Sequence, residues 1–371
     1  MSARVRAARL AHRTAVRLEA AWDAFHLTRA ADGPPEHFRI ETYLGHGSDH
    51  VVVRGRVLDD PEPSAAVEGE RPWAVVRRTL AHFLTDELPG VPLRIRVGTV
   101  ELETTSDDEG YFDLRLPAGL TAAGAPWTTG EARLGAPYRG LGESHATALP
   151  VRVPGPQARF GLVSDVDDTI LLTGAQRVLE MVRQTFTGSA LTRLPFAGAP
   201  ELYRALAAEA DEPDANPVFY VSSSPWNLHG FLLGFLRHRD FPVGPLLLRD
   251  LLGSGEARSH ASHKAARIEE VLDLHPGLRF VLIGDSGQHD TEIYADVVRR
   301  HPGRILAAYI REVRLDPGDR RVESVLETWP AEVPVVLASD SAEVARHAAS
   351  LGLVTETAAA HVAAATARDA R

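Results

Sequence analysis

The amino-acid sequence predicts an α/β fold, with helices on both faces of a parallel sheet, preceded by a β-rich domain. At 371 residues the chain is long enough for two domains. Over residues 36–155 apolar and polar residues alternate, as in half-buried strands, whereas over 156–345 short apolar runs alternate with helical stretches. An amphipathic helix over 1–35 and an Ala-rich helix or tail over 346–371 complete the predicted organisation.

Composition excludes several classes of protein. No stretch reaches the ~18 apolar residues of a membrane span, and the arginines near the start do not flank the continuous apolar core of a secretory signal. The chain has no cysteine, which gives no sign of an oxidising compartment. A net charge of −10 argues against a general nucleic-acid partner. We therefore expect a cytoplasmic protein, with peripheral contact at the inner membrane surface as an option.

The predicted helix over 1–35 has an apolar stripe and a basic opposite face. Its stripe is formed by Ala11, Ala15, Leu18, Trp22 and Phe25. This stripe could lie on anionic lipid or pack on the protein's own core. We favour packing on the core, because the stripe contains few large apolar residues.

The β-rich domain contains four alternating segments, which span 50–59, 91–106, 110–117 and 147–154. A helix over 72–88 interrupts them, and SDDEG supplies turn residues before the third segment. The pattern TTSDDEGYFDLRL resembles the hairpin of transthyretin-like or carboxypeptidase-regulatory β-sandwiches, so we expect a sandwich-like accessory domain.

The α/β region contains five short apolar runs that read as buried strands. They span 158–165, 217–224, 244–250, 277–285 and 304–310, with helices over 227–239 and 264–275. In parallel sheets of this kind, ligands bind beyond the carboxyl ends of the strands. Polar residues at those ends are therefore candidates for a functional site.

The first of these strands ends in SDVDDT, which places Asp165, Asp167 and Thr169 at alternate positions. Paired carboxylates suit a hard cation, or one nucleophile and one proton carrier. A helix-loop-helix calcium site is excluded, because it requires Gly and Glu where the chain has Ile170 and Gln176. An acidic turn without function remains the simpler alternative for this motif alone.

The second strand ends in VSSSPWN, where a hydroxyl and the amides of a following helix could bind a phosphate oxygen. Ser222 is the nearest candidate, with Ser223 and Ser224 as substitutes. Pro225 is placed at the first helical position. The alternative for Ser224 is a simple helix cap.

Lys264 precedes the helix that leads to the fourth strand, and it is the single lysine among 40 basic residues. A compact ammonium at that edge could neutralise a phosphoryl group and an aspartate together, although the rarity of lysine is supporting evidence only. The fourth strand ends at Asp285, and Asp290 follows five residues later. The run GDSG also invites a serine-hydrolase interpretation with Ser286. That interpretation is weak, because Gln288 occupies the position where a nucleophile elbow requires glycine.

The order of these motifs resembles the haloacid dehalogenase-like superfamily of aspartate-nucleophile phosphohydrolases. Within it, SDVDDTI, FYVSSSPWNL, SHKAARIEEVL and LIGDSGQHDTEIY are similar to the actin-patch-associated phosphatidate phosphatase catalytic-domain family, over roughly 158–315. RRTLAHFL at 77–84 is similar to the region upstream of that domain. The resemblance implies a haloacid dehalogenase-like (Rossmannoid) sheet. Because only about fifty residues separate Asp165 from the second strand, we expect a minimal cap and an open site.

The resemblance also implies a mechanism. Asp165 would attack phosphorus to form an aspartyl phosphate, and Asp167 would carry the proton. Ser222 and Lys264 would hold phosphoryl oxygens, and Thr169, Ser223 and Ser224 would contact the substrate. The implied cofactor is Mg²⁺, with Asp165, Asp167 through its carbonyl, Asp285 and Asp290 as candidate ligands.

Three functions remain open at this point. The family implies hydrolysis of phosphatidate, or of a related lipid phosphate, to diacylglycerol and phosphate. A phosphatase of a soluble phosphomonoester is the second, and a non-catalytic lipid-binding or protein-binding protein is the third.

Overall fold

The computed structural model describes residues 34–59, 86–121, 125–142, 145–166, 197–209, 212–249, 260–286, 289–312 and 321–370. The predicted helix over 1–35 and most of the one over 72–88 lie outside these ranges, as do Asp167 and Thr169. The end of the second predicted helix is wrong, since Asp86–Glu87 form a short strand paired with the strand that ends at Asp59.

The first sheet has nine strands within the described residues. They are β1 Phe38–Thr42, β2 Gly45–Gly47, β3 Val51–Asp59, β4 Asp86–Glu87, β5 Pro92–Val97, β6 Val100–Thr105, β7 Tyr111–Leu116, β8 Trp127–Leu134 and β9 Ala146–Arg152. Their order is β1-β3-β2-β9-β8-β5-β6, with β4 and β7 also paired to β3, and only the β2–β9 pair is parallel. A dedicated apolar core, which includes Val53, Ile95 and Leu149, lies against this sheet.

Turn chemistry explains two connections in the first sheet. The predicted single segment 91–106 is a hairpin of β5 and β6, because the chain reverses at Gly98, whose φ of +59° suits a residue without a Cβ. The predicted SDDEG turn is confirmed, since Asp107 Oδ1 accepts hydrogen bonds from the amides of Glu109 and Tyr111 at 2.9 and 2.8 Å.

In the part of the chain that the structure describes, the second sheet has six strands, all parallel. They are β10 Gly161–Asp165, β11 Val218–Pro225, β12 Leu246–Arg249, β13 Phe280–Asp285, β14 Ile305–Arg311 and β15 Val335–Ala338. Their order is β12-β11-β10-β13-β14-β15, so the strands that end in Asp165 and Asp285 are neighbours. The α/β prediction is confirmed, and β15 is an edge strand that it missed.

Helices cover both faces of the second sheet. Within the described residues they are α1 Ala199–Ala207, α2 His229–His238, α3 His260–Leu274, α4 Asp290–Arg300, α5 Arg321–Leu326, α6 Ser341–Ser350 and α7 Glu356–Asp369. One apolar cluster joins alternate strand residues such as Leu162 and Tyr220 to α1, α2, α6 and α7. The other joins the intervening residues, such as Val163 and Phe219, to α3 and α4. Burial on both faces explains the continuous apolar runs of these strands.

The two sheets are joined by buried polar contacts. Arg152 of β9 is 1 % exposed, and its guanidinium donates to the backbone oxygens of Asp214 and Ala215, just before β11. His46 of β2 lies 3.2 Å from His275, which follows α3, and packs against Phe219. The first sheet is therefore in direct contact with the region that carries β11 and α3.

No helix in the described part of the chain is both long enough and apolar enough to pass through a bilayer.

Candidate active site

Three carboxylates meet at the carboxyl edge of the second sheet. Asp165 ends β10, Asp285 ends the neighbouring β13, and Asp290 is the first residue of α4. One side-chain oxygen of each lies within 4.8 Å of those of the other two. The loop between β13 and α4 brings Asp290 back to the strand ends, so acidic groups from distant parts of the sequence share one position.

Lys264 lies among these carboxylates. Its Nζ is 2.7 Å from Asp165 Oδ1 and donates a hydrogen bond of 3.0 Å to Asp290 Oδ1. The side chain is 4 % exposed, so a buried ammonium faces three buried or nearly buried carboxylates. Such a cluster is stable only when each charge has a partner, which Lys264 supplies to Asp165 and Asp290.

The predicted position of Lys264 before a helix is wrong. The helix α3 begins at His260, so Lys264 is its fifth residue and its backbone is fixed by the helix. The sequence HASH before Lys264 contains no large apolar residue that would extend the helical periodicity, and for this reason the prediction began four residues late.

Asp290 is held through both oxygens. Oδ1 accepts from Lys264, and Oδ2 accepts from the backbone amide of Asp285 at 3.2 Å. A Cβ at position 284 would lie 2.7 Å from Asp290 Oδ2, so Gly284 permits this close approach. The geometry therefore suits Asp290 to orienting Lys264 and the end of β13.

The strand-end serines lie beside Asp165. Asp165 pairs with Val221 in the β10–β11 ladder, and Ser222 is the next residue of β11. Ser222 Oγ donates to Ser224 Oγ at 2.6 Å and accepts from the Ser224 amide at 2.9 Å. These bonds close a tight local loop in a stretch where the β11–β12 register is irregular.

Two details of the serine segment differ from the prediction. Pro225 is the last residue of β11, opposite Arg249, rather than the first residue of a helix. A 3-10 turn, Trp226–Leu228, comes next, with Pro225 as its N-cap, and α2 has Leu228 as its N-cap. The helix-cap interpretation of Ser224 is therefore wrong as well. The extended ψ of 155° at Pro225 keeps the chain in the strand for one more residue.

Two buried tyrosines that the sequence analysis did not identify lie beside the carboxylates. Tyr294, one turn after Asp290, donates to the backbone oxygen of Ile283 at 2.8 Å. Burial raises its pKa well above the usual value, and the nearby Asp290 and Asp165 raise it further. Tyr203 shares a 2.6 Å hydrogen bond with Ser164, and burial raises its pKa to about 12. Both phenols are therefore neutral at physiological pH and can act as hydrogen-bond donors. The Asp-x-x-x-Tyr spacing at the start of α4 was the available signal for Tyr294.

A cavity opens beside the cluster, between the sheet and the helices α1, α2 and α6. It measures about 710 Å³ with its open mouth. Its polar lining includes Asp165, Asp285 and Arg311. Its apolar and aromatic lining includes Leu202, Tyr203, Tyr220, Phe235, Phe241 and Val344. A ligand with a charged head at the carboxylates and an apolar body would match this distribution.

Part of the chain's similarity to other proteins lies in the region that forms this site. Residues 160–312 match the family described as phosphatidate phosphatase APP1, catalytic domain. The chain is 29 % identical to phosphatidate phosphatase APP1 of Saccharomyces cerevisiae over 251 residues, which is 64 % of this chain and 40 % of the yeast protein. It is 28 % identical to an uncharacterised protein of Schizosaccharomyces pombe over 161 residues, which is 42 % of this chain and 26 % of that protein.

Among solved structures, a carbohydrate acetylesterase from Xanthomonas citri aligns over 81 % of this chain and 68 % of its own, at 12 % identity. Its TM-score of 0.29 is too low to bear on the fold or the function. The match to the catalytic domain spans β10, β11, β13 and β14 and includes Asp165, Ser222, Lys264, Asp285 and Asp290. Residues 160–312 of this chain are therefore similar to the phosphatidate phosphatase APP1 catalytic domain.

Proposed function

We propose that the chain is a Mg²⁺-dependent phosphatase that hydrolyses phosphatidate or a related lipid phosphate through an aspartyl-phosphate intermediate. The observation that carries the proposal is the contact of Lys264 with Asp165 and Asp290, beside Asp285, at one edge of a parallel sheet. The match of this segment to the phosphatidate phosphatase APP1 catalytic domain supports the same chemistry. We assign the sheet to the haloacid dehalogenase-like type, with a minimal cap and a sandwich-like accessory domain before it.

In the first step, an oxygen of Asp165 forms a bond to phosphorus while the bond from phosphorus to the ester oxygen breaks. The leaving oxygen takes a proton from Asp167, which is the next acidic residue after Asp165 in the motif. In the second step, Asp167 removes a proton from water, whose oxygen attacks phosphorus. The bond from phosphorus to Asp165 then breaks, releasing phosphate and restoring the carboxylate.

We assign Lys264 and Ser222 to binding the phosphoryl oxygens of the substrate. The Lys264 ammonium already lies 2.7 Å from the proposed nucleophile, so an oxygen bound to phosphorus at that carboxylate comes within reach of it. Ser222 is on the adjacent strand end, and Ser223, Ser224 and Thr169 are proposed to contact the substrate. Asp290, with both oxygens engaged, holds Lys264 in place.

The donor set fits a hard divalent cation. Three carboxylates within 4.8 Å of one another offer the oxygen ligands that Mg²⁺ prefers, and Lys264 pairs with two of them. Asp165, Asp285 and the carbonyl of Asp167 would hold the ion, with Asp290 at the edge of the site. Bound there, Mg²⁺ would offset the repulsion between the phosphate and the carboxylates.

A lipid substrate is supported by two observations. The family whose model matches residues 160–312 takes its description from a phosphatidate phosphatase. The cavity beside Asp165 is largely apolar, which suits an acyl or alkyl body better than a sugar. We therefore expect peripheral contact with a lipid surface on the cytoplasmic side, and no nucleic-acid partner.

The test is phosphate release from phosphatidate vesicles and from a panel of soluble phosphomonoesters, each with Mg²⁺ and with a chelator. Mg²⁺-dependent release from the vesicles supports the proposal, and Asp165→Asn is the control for a contaminating phosphatase. Release from soluble esters alone would favour a soluble-metabolite phosphatase. No release from any ester would favour a binding protein.

A further inference from the structure

Side chains of the first sheet contact the 3-10 turn Trp226–Leu228. This turn follows the strand-end serines after Pro225. The rings of Tyr43 and Trp226 stack with centroids 4.8 Å apart and planes 4° from parallel. The guanidinium carbon of Arg54 lies 5.9 Å from the centroid of Trp226. The hydroxyl of Tyr111 donates a hydrogen bond to Asn227 Oδ1. Tyr43, Arg54 and Tyr111 are called the clamp residues below.

Arg54 also holds the helix that carries Lys264. Its two terminal nitrogens donate to the two oxygens of Glu270 in α3, at 2.9 and 2.7 Å, and its Nε donates to Asp113 at 2.7 Å. Burial alone would raise the pKa of Glu270, but the hydrogen bonds from Arg54 and the positive charges of Arg54 and Arg267 hold the pKa below its usual range. Glu270 is therefore ionised, and the forked pair fixes α3 in both direction and distance.

The clamp thus contacts both elements that present phosphate-binding groups. Ser222 lies on β11, four residues before Trp226, and Lys264 lies on α3, six residues before Glu270. Arg54 contacts Trp226 and Glu270 at the same time. A single side chain of the first sheet therefore sets the position of one element relative to the other.

We propose that the clamp residues are positioning residues for phosphate binding, so that the first sheet forms part of the active centre. The proposal rests on the proposed function, because it assigns phosphate binding to Ser222 and Lys264. Charged and hydroxyl groups stabilise a phosphoryl group only when they are held within about 0.5 Å of the productive geometry. The clamp residues act through Trp226, Asn227 and Glu270, which they contact.

The first test removes one hydrogen bond and keeps the ring. Tyr111→Phe loses the bond to Asn227, and Tyr138→Phe is the matched control, because the Tyr138 hydroxyl bonds the carbonyl of Pro89 inside the first sheet. We expect the inhibition constant of inorganic phosphate to rise about fivefold in Tyr111→Phe, the change that corresponds to one neutral hydrogen bond. In Tyr138→Phe this constant should not change, although both variants lose a similar amount of stability.

The second test needs no activity. Lys264 is the single lysine of the chain, so an N-hydroxysuccinimide acetate probe reports on its exposure through the mass of one peptide. We expect Arg54→Gln to raise the acylation rate of Lys264 at least about threefold, through local opening of α3. Arg94→Gln is the matched control, since Arg94 pairs with Glu103 and Glu101 at the far side of the first sheet. The rate is measured against urea concentration, because local opening is nearly independent of urea and global unfolding is not.

The outcomes separate the two proposals. A raised inhibition constant in Tyr111→Phe and a raised acylation rate in Arg54→Gln, with both controls unchanged, support the positioning role of the clamp residues. If neither the inhibition constant nor the acylation rate differs from its control, the positioning proposal is wrong even when the protein is an active phosphatase. If the wild-type protein releases no phosphate from any ester, the proposed function fails, and the acylation rates still decide whether Arg54 positions Lys264.

Discussion

Replacing Asp165 with asparagine should abolish turnover and leave the fold almost as stable as before. The substitution removes the attraction between Asp165 and Lys264, which are 2.7 Å apart. At an effective dielectric constant of about 20, that attraction is about 6 kcal/mol. It also removes the repulsion of Asp165 by Asp285 and Asp290, whose oxygens lie within 4.8 Å, and each repulsion is at least about 3.5 kcal/mol by the same rule. The two effects nearly offset each other.

We therefore expect the free energy of unfolding of Asp165→Asn to change by less than about 1.5 kcal/mol, since Lys264 keeps Asp290 as a partner. The rate of phosphate release should fall by at least about 10⁴-fold, as expected when a nucleophile is removed. The first quantity is measured by urea denaturation with a chelator present, and the second by phosphate release with Mg²⁺.

Two results would refute this reasoning. Turnover within tenfold of the wild type would show that Asp165 is not the nucleophile. A loss of stability above about 3 kcal/mol would show that the Lys264 pair outweighs the carboxylate repulsion. Asp296→Asn, which breaks the exposed 2.7 Å pair with Arg300 on α4, is the control and should change neither quantity.

Three further predictions concern the metal site, the serine segment and the buried histidine His229. Asp285→Asn should shift the Mg²⁺ concentration for half-maximal rate upward by about tenfold or more, which a titration of rate against Mg²⁺ measures, and an unchanged titration would remove Asp285 from the metal site. Ser222→Ala should lower the free energy of unfolding by about 1–3 kcal/mol, because the buried Ser224 amide loses its acceptor. Ser222→Thr keeps the hydroxyl, so its loss of unfolding free energy, measured by urea denaturation, should be smaller. Burial, and to a smaller extent the positive charge of Arg237, lowers the pKa of His229 to about 3. Below pH 6.5 the unfolded chain therefore binds a proton that the folded chain does not bind, and the free energy of unfolding decreases as the pH falls. From pH 7.5 to 5 the wild type should lose about 2 kcal/mol more than His229→Phe, as judged by urea denaturation at both pH values, and equal losses would contradict the burial of a neutral imidazole.

The convergence of the carboxylates could be predicted from the sequence because it follows from a general rule. Parallel strands present their carboxyl ends at one edge, so Asp165 and Asp285 were expected at the same edge once their strands were recognised, and they are close because β10 and β13 are neighbours. The contact of Lys264 was harder to predict, since its helix begins in a stretch, HASH, that contains no large apolar residue. Its distance from Asp165 depends on the packing of α3, which no local pattern encodes.

Other features left no signal in the sequence. The 3-10 turn Trp226–Leu228 and the helix α2 form one apolar stretch, and periodicity does not distinguish a tighter first turn from a continuous helix. The pair of Arg54 and Glu270 joins residues 216 positions apart, one in each predicted domain. In an alternating strand, an arginine predicts a side chain that faces solvent. Arg54 is buried because the part of the chain that carries the second sheet covers that face.

The buried contacts between the sheets have a consequence for how the molecule melts. Arg152 of the first sheet donates to the backbone before β11, and His46 of the first sheet contacts Phe219 and His275. If either sheet unfolded alone, buried polar and aromatic groups of the remaining sheet would therefore be exposed to water. A single cooperative calorimetric peak is therefore expected for the described region, instead of one peak for each sheet. A chain cut near residue 155 would leave Glu270 without its forked arginine and Trp226 without its stacking ring, and such a fragment should aggregate on expression.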